Sequence, residues 1–164
     1  FGLTREKVLI RKVLPKAAEP ERKEQEAQPQ PKEFMVKKVV GRKPRVLVVD
    51  DSASVRNFVS AFLKKHGFET IEAKDGQEAL EKAKEAEVDL LITDLQMPKM
   101  NGFKLSEQIR ALDQYKKLPI IILTAQVGKK QEQKSEAVGA NAFVSKPFKE
   151  DDLIRMVKTF VQVE

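Results

Sequence analysis

The chain has 164 residues, with 31 Lys and Arg against 25 Asp and Glu, one His, no Cys, no Trp and a formal charge of +6. That length holds one domain, or one domain with a tail, and the missing cysteine excludes a disulfide framework, a thiolate zinc site, an iron–sulfur cluster and a Cys nucleophile. Apolar runs stop at about four residues, as in Val46-Leu47-Val48-Val49, against roughly 20 for a membrane-spanning helix, so no membrane insertion and a reducing, cytoplasmic setting are expected.

The charge is unevenly placed. Residues 1–44 carry 12 Lys and Arg and 6 Asp and Glu, which is the whole of the +6, whereas residues 45–164 carry 19 of each. The chain starts on Phe1 rather than Met, and Leu3, Val8, Leu9, Ile10, Val13 and Leu14 make residues 1–14 an apolar segment too short to fold alone. It reads as the tail of an upstream domain, with a short basic amphipathic anchor as the alternative. From Pro15 to Glu33 no Val, Ile, Leu, Met or aromatic residue occurs, and Pro15, Pro20, Pro29 and Pro31 interrupt a Lys/Glu/Gln-rich run. Residues 15–44 are therefore expected to be a flexible, charged, Pro-rich linker. The run Gly41-Arg42-Lys43-Pro44-Arg45 resembles a basic arm, but glutamates interleave through the segment and no aromatic stacking platform accompanies it, which argues against nucleic acid as a partner.

From Arg45 the pattern becomes periodic. Arg45 to Val49 reads as a short buried strand; Ser52 or Ser54 then caps a helix carrying Val55, Phe58, Val59, Phe62 and Leu63 and ending at Gly67. His66, beside Lys64 and Lys65, is expected to cap the carbonyls at that helix end. Phe68 to Ala73 is a second strand, Lys74-Asp75-Gly76 a turn, and Gln77 to Ala86 a second helix burying Ala79, Leu80 and Ala83. Val88 to Thr93 and the β-branched run Ile120 to Leu123 flank a helix from Gly102 to Asp113. A polar helix follows at about Gln126 to Ala137, expected to be the most mobile element because packing contributes little to it. A fifth strand, Ala142 to Ser145, and a helix from Asp151 to Val161 complete five βα units. The fold class is α/β, a (βα)5 doubly wound five-stranded parallel sheet with helices on both faces.

In such sheets function gathers at the carboxyl ends of the strands. There the sequence places Asp50 and Asp51, Asp94, Thr124 and Lys146. Crowded carboxylates need a cation, and oxygen-only ligation favours a hard divalent ion such as Mg2+, with Mn2+ as an alternative. Lys146 and Thr124 supply a positive charge and a hydroxyl suited to a phosphoryl group, and no Ser/His/Asp relay or Cys/His pair exists for another kind of covalent chemistry. Met97 and Met100 read as loop packing, and Gly102 as opening the third helix or relieving the loop backbone.

The runs Val48-Val49-Asp50-Asp51-Ser52, Thr93-Asp94-Leu95-Gln96-Met97-Pro98-Lys99-Met100-Asn101-Gly102, Leu123-Thr124-Ala125 and Ser145-Lys146-Pro147-Phe148 resemble the receiver domain of two-component response regulators, with spacings most like chemotaxis regulators of the CheY type. The resemblance covers residues 45–164. It implies strand order 2-1-3-4-5 and a phosphoacceptor that assists its own phosphorylation and dephosphorylation rather than an enzyme in the usual sense. Asp94 would accept the phosphoryl group from a sensor histidine kinase or a small donor. Asp51 and Asp94 would ligate Mg2+, Asp50 would help largely through water, and the Gln96 carbonyl would complete the set. Lys146, ahead of a cis Pro147, would pair with the phosphoryl group while Thr124 swings toward it, and Phe143 would be the switch aromatic. By the same resemblance, Gln96 and Gln126 would lie where the family tunes loss of phosphate. The implied output face, made by the fourth helix, fifth strand and fifth helix, would bind a downstream target, with a phosphorylation-dependent dimer as a further outcome. Two other readings remain: a receiver-fold interaction module that is not phosphorylated, and the receiver part of a larger hybrid kinase or coupling protein.

Overall fold

The computed structural model of the protein describes residues 36–126 and 128–163. The expected tail 1–14, the linker as far as residue 35, and Val127 lie outside the described residues.

Five strands form one parallel sheet: β2 (Arg45–Val49), β3 (Glu69–Ala73), β4 (Leu90–Asp94), β5 (Ile120–Thr124) and β6 (Ala142–Ser145). Their spatial order is β3-β2-β4-β5-β6, which in units of successive βα repeats is the expected 2-1-3-4-5. The central strands β2, β4 and β5 are buried almost throughout, the condition that requires apolar residues on both faces. Edge strands β3 and β6 are only partly covered, and β3, with Glu69, Thr70 and Glu72, is the more polar of the two.

The helices are α1 (Ala53–Lys65), α2 (Gly76–Glu85), α3 (Gly102–Arg110), α4 (Lys129–Ala137) and α5 (Glu150–Phe160). Side-chain caps start the first three: Ser52, Asp75 and Asn101 accept the backbone N–H groups of Val55, Glu78 and Lys104. One core cluster joins Leu47, Val49, Leu91, Ile120 and Ile122 of the sheet to Ala79, Leu80, Ala83, Phe103, Leu105 and Ile109 of α2 and α3. By strand alternation Val46, Val48, Leu90, Ile92 and Ile121 point to the opposite face, where buried Val59 and Leu63 of α1 and Leu153 and Val157 of α5 lie. Tyr115 is buried under this framework; its hydroxyl lies 2.7 Å from the Ala83 carbonyl and 2.8 Å from that of Ala86, and accepts the Val88 N–H.

The structure departs from the sequence reading in several places. The segment expected to be linker up to residue 44 holds regular structure within its described residues. In it β1 (Lys37–Val39) pairs in parallel with β7 (Val161–Val163) as a separate two-stranded sheet. Composition did not reveal this because the partner strand is over 120 residues away along the chain. The last helix stops at Phe160 because Val161 adopts extended backbone, φ −133° and ψ 125°. The helix from Gly102 ends at Arg110, and a 3-10 turn follows at Asp113–Tyr115. Phe58 is 61% exposed instead of facing the core, and stacks obliquely on Phe62 at 4.6 Å. His66 does not cap carbonyls with its ring. Its backbone N–H does so, and Nε2 lies 3.1 Å from Glu150 Oε2. Among the described residues no helix is long and apolar enough to cross a membrane.

Candidate functional site

Parallel register brings the strand ends level. Val49 is opposite Thr93, Asp94 opposite Leu123, and Thr124 opposite Ser145, so the residues following β2 and β6 and those closing β4 and β5 meet at one edge of the sheet. Asp50, Asp51 and Asp94 converge there, each offering a carboxylate oxygen within 4.8 Å of the others. Asp50 is buried, Asp94 half-buried and Asp51 exposed.

Each carboxylate is held differently. Asp50 Oδ1 accepts the Ser52 N–H at 2.9 Å, and Arg56 Nη1 donates to the Asp50 carbonyl at 2.6 Å. Asp94 Oδ1 accepts the Leu95 N–H at 2.9 Å. Lys146 Nζ bridges the two, 3.0 Å from Asp50 Oδ2 and 3.3 Å from Asp94 Oδ1. Asp94 Oδ2 has no hydrogen-bond partner among the described residues. The Lys146-Pro147 peptide is cis.

The electrostatics follow from this crowding. Burial, and then the neighbouring Asp50 charge, push the Asp94 carboxyl above its usual range despite Lys146 and the Leu95 N–H. Burial alone would lower the Lys146 ammonium, but Asp50 and then Asp94 outweigh it and raise it, so the lysine stays charged at neutral pH. Three carboxylates against one ammonium leave an excess of negative charge in a partly desolvated site. An all-oxygen donor set of this kind suits a hard divalent cation that keeps open positions for other oxygens.

The loop after β4 shapes the rest. Lys99 has φ 71° and the Met100 N–H reaches back to the Pro98 carbonyl at 2.7 Å, a tight three-residue turn in the left-handed region that a side chain rarely occupies. Gly102 donates its N–H to the Leu95 carbonyl at 2.8 Å, and a Cβ there would strike the Asp94 carbonyl oxygen. Glycine is thus required by close approach to the strand end that carries Asp94. Met97 and Met100 pack partly buried against the core cluster, in line with loop packing. An open cleft of about 480 Å³ is lined by Asp51, Gln96, Met97, Pro98 and Asn101. A second, of about 250 Å³, lies between this loop and α4, with Gln96 and Gln126 both at its wall.

Thr124 is 1% exposed, and its hydroxyl accepts the Gln126 N–H at 3.0 Å instead of reaching the carboxylates. Phe143 sits in β6 opposite Ile122, half-buried against the core cluster and outside the acidic trio. Sequence reasoning passed over Arg56, which pins the Asp50 backbone while lying near Glu72 at 3.6 Å. The available signal was an arginine one turn into a helix that starts directly behind two aspartates.

Comparison with known proteins agrees with this arrangement. A family model for the response regulator receiver domain matches residues 46–158. The hybrid signal transduction histidine kinase D of Dictyostelium discoideum is 36% identical over 118 residues, 72% of this chain but 8% of that protein. Chemotaxis protein CheY1 of Helicobacter pylori is 40% identical over 106 residues, 63% of this chain and 86% of that one. Among solved structures, the receiver domain of sensor histidine kinase PA1611 from Pseudomonas aeruginosa, with a magnesium ion coordinated in its active site cleft, aligns with a TM-score of 0.67 and 26% identity, covering 72% of this chain and 97% of that one. The chain thus spans a small part of some relatives and most of others.

Proposed function

The chain belongs to the response regulator receiver family, whose members take phosphoryl groups from histidine kinases in two-component signalling, and on that premise we propose that Asp94 is its phosphoacceptor, supported by a Mg2+ ion and Lys146. The observation that carries this reading is the bridge from Lys146 Nζ to Asp50 and Asp94 inside a trio of carboxylates at the sheet edge.

Asp94 Oδ2 is the attacking atom, since Oδ1 is held by Lys146 and the Leu95 N–H. A bond forms from Oδ2 to phosphorus as the bond from phosphorus to the donor's imidazole nitrogen or acyl oxygen breaks, and the electron pair leaves with the donor. Asp51 and Asp94 would hold the cation, with Asp50 helping largely through water and the Gln96 carbonyl adding one ligand; Mn2+ would suit the same donors. The ion, when bound, neutralises charge on the transferring oxygens. Lys146 stays charged and meets one phosphoryl oxygen, holding the group in line, which is most of what such a transfer requires. Thr124 gives up its bond to the Gln126 N–H and turns its hydroxyl to another, and Phe143 repacks behind it. Gln96 and Gln126, exposed on the cleft walls, govern how water reaches the acyl phosphate.

The consequence is a shift of the face formed by α4, β6 and α5, read by a downstream protein, with a sensor histidine kinase as donor and a chemotaxis-type setting as one parallel. Similarity to a hybrid kinase supports a second reading, in which the same domain is the receiver of a longer signalling protein. Incubation with labelled acetyl phosphate tests the core of the proposal. Wild type should label with Mg2+ and not in EDTA, and Asp94→Asn should not label at all; label retained by that variant removes Asp94 from the role.

A further inference from the structure

At the amino end of β4, opposite the acidic trio, Asp89 carries a side chain that is 0% exposed. A carboxylate cannot stay ionised there without close donors. It has four: Arg42 Nη1 at 2.7 Å and Nη2 at 3.1 Å, Lys37 Nζ at 3.0 Å, and the Arg45 N–H at 2.7 Å. Burial alone would raise the Asp89 carboxyl, but Arg42, the Arg45 N–H and Lys37 together hold it below the usual range. Arg42 is itself fixed by a further bond to Glu87 Oε1 at 2.7 Å. Both side-chain cations come from the segment ahead of β2.

That segment is fastened a second time. Lys37, Lys38 and Val39 run parallel to Val161, Gln162 and Val163, with Val39 and Val161 buried at 3% and 1% exposure. β7 begins at the residue after Phe160, the last of α5, with no loop between. Residues 36–44 therefore hold the amino-terminal edge of the central sheet at one end and the carboxyl end of α5 at the other.

We propose that residues 36–44 are a clasp that couples the chain upstream of the domain to the position of α5. α5 cannot slide or rotate against the sheet without carrying β7 along, and β7 is hydrogen-bonded to a strand anchored at Asp89. A shift of α5 strains or opens the β1–β7 pair, and any upstream event that loads or frees the clasp biases α5 in return, because coupling between two sites is reciprocal. The sense of signal flow rests on the receiver reading, in which α5 belongs to the output face; the clasp itself does not.

Two variants of the full chain test this. Arg42→Ala removes the guanidinium from Asp89. Gln162→Pro disrupts the three-residue β7 ladder at an exposed position, leaving Asp89 untouched. Amide exchange should show protection at alternate amides of Lys37–Val39 and Val161–Val163 in wild type, reduced in both variants; exchange at the unstructured rate throughout both strands in wild type overturns the clasp. Titration with beryllofluoride and Mg2+, a phosphoryl mimic, should show an apparent affinity shifted in the same direction by about five-fold in both variants. Equal affinity in all three proteins overturns the coupling and leaves a purely structural fastening. Wild type that binds no beryllofluoride overturns the phosphoacceptor reading, and with it the signal, while the exchange data still decide the clasp.

Discussion

Asp94→Asn should make the metal-free protein more stable, even though it deletes the proposed acceptor. The Asp94 side chain is 12% exposed, with Lys146 Nζ at 3.3 Å, which at an effective dielectric of about 20 attracts it by about 5 kcal/mol. Carboxylate oxygens of the trio lie within 4.8 Å of one another, and at that limit like charges repel by about 3.5 kcal/mol per pair at the same dielectric. Asp50 exerts that repulsion nearly in full, whereas the share from exposed Asp51 is screened to roughly 1 kcal/mol. The charge terms thus nearly cancel, which leaves the burial cost of a carboxylate uncompensated, in agreement with the upward shift of its pKa. An amide of the same shape sheds that cost and leaves Lys146 paired with Asp50. We expect a gain of about 2 kcal/mol, a rise of roughly 5 to 10 °C in Tm, in calorimetric melts with EDTA. Mg2+ reverses the order: at about 100 times its Kd it adds about 2.7 kcal/mol to wild type, and far less to a variant lacking one ligand. Without metal the gap also closes on acidification, because a folded-state pKa above the unfolded one makes the native state take up a proton first, stabilising wild type as pH falls through that value. An Asn variant that melts at or below wild type in EDTA, or that gains as much from Mg2+, refutes the picture of a strained, cation-demanding trio.

Three further outcomes follow from the described contacts. Gly102→Ala drives a Cβ against the Asp94 carbonyl oxygen and to 3.1 Å from Leu95 Cα; backbone must yield, so stability should fall by about 1 to 3 kcal/mol in urea unfolding. Acetyl-phosphate labelling should drop further than in a core variant of equal stability, because the displaced strand end carries Asp94. Asp89 has a folded-state pKa below the ordinary 3.8, so its contribution is complete above that value and lost as pH falls through the lower folded one. Asp89→Asn should accordingly be less stable at neutral pH and show a shallower loss below about pH 4 in acid titration followed by circular dichroism, and a limb identical to that of wild type contradicts the buried ion pair. Tyr115→Phe strands the buried Val88 N–H and removes the donor to the carbonyls of Ala83 and Ala86, for an expected cost of about 1 to 3 kcal/mol in two-state urea unfolding; no change would mean the hydroxyl is dispensable.

The parallel sheet was legible because its signals are local. Val46 to Val49 and Ile120 to Leu123 are apolar on both faces, and Ser52 stands one residue ahead of the helix whose first turn it caps. Asp50, Asp51, Asp94 and Lys146 were legible for a related reason: each follows or closes a strand, and parallel register turns that position into a shared edge. What escaped depends on rotamers and long-range pairing. The Thr124 hydroxyl can face the carboxylates or the Gln126 N–H from the same backbone, and the structure has the second. Phe58 and Phe62 are four apart and read as one inward stripe, yet α1 is rotated so that Val59 and Leu63 take the core and Phe58 is left outside.

Asp89 shows why a boundary drawn by composition at residue 45 cuts in the wrong place. An aspartate between Val88 and Leu90, both fully buried, announces that a cation has to arrive from somewhere. With 31 Lys and Arg in the chain, no local rule says which. Equal numbers of acids and bases after residue 44 make that part look electrically complete, but the side chains that neutralise its most buried acid are Lys37 and Arg42, counted in the other half. The same two residues flank Val39, so charge pairing at Asp89 and burial of Val39 against Val161 reinforce one another. A three-residue parallel ladder is too short to persist by itself; with one end pinned by a buried ion cluster and the other continuous with α5, it becomes part of the domain.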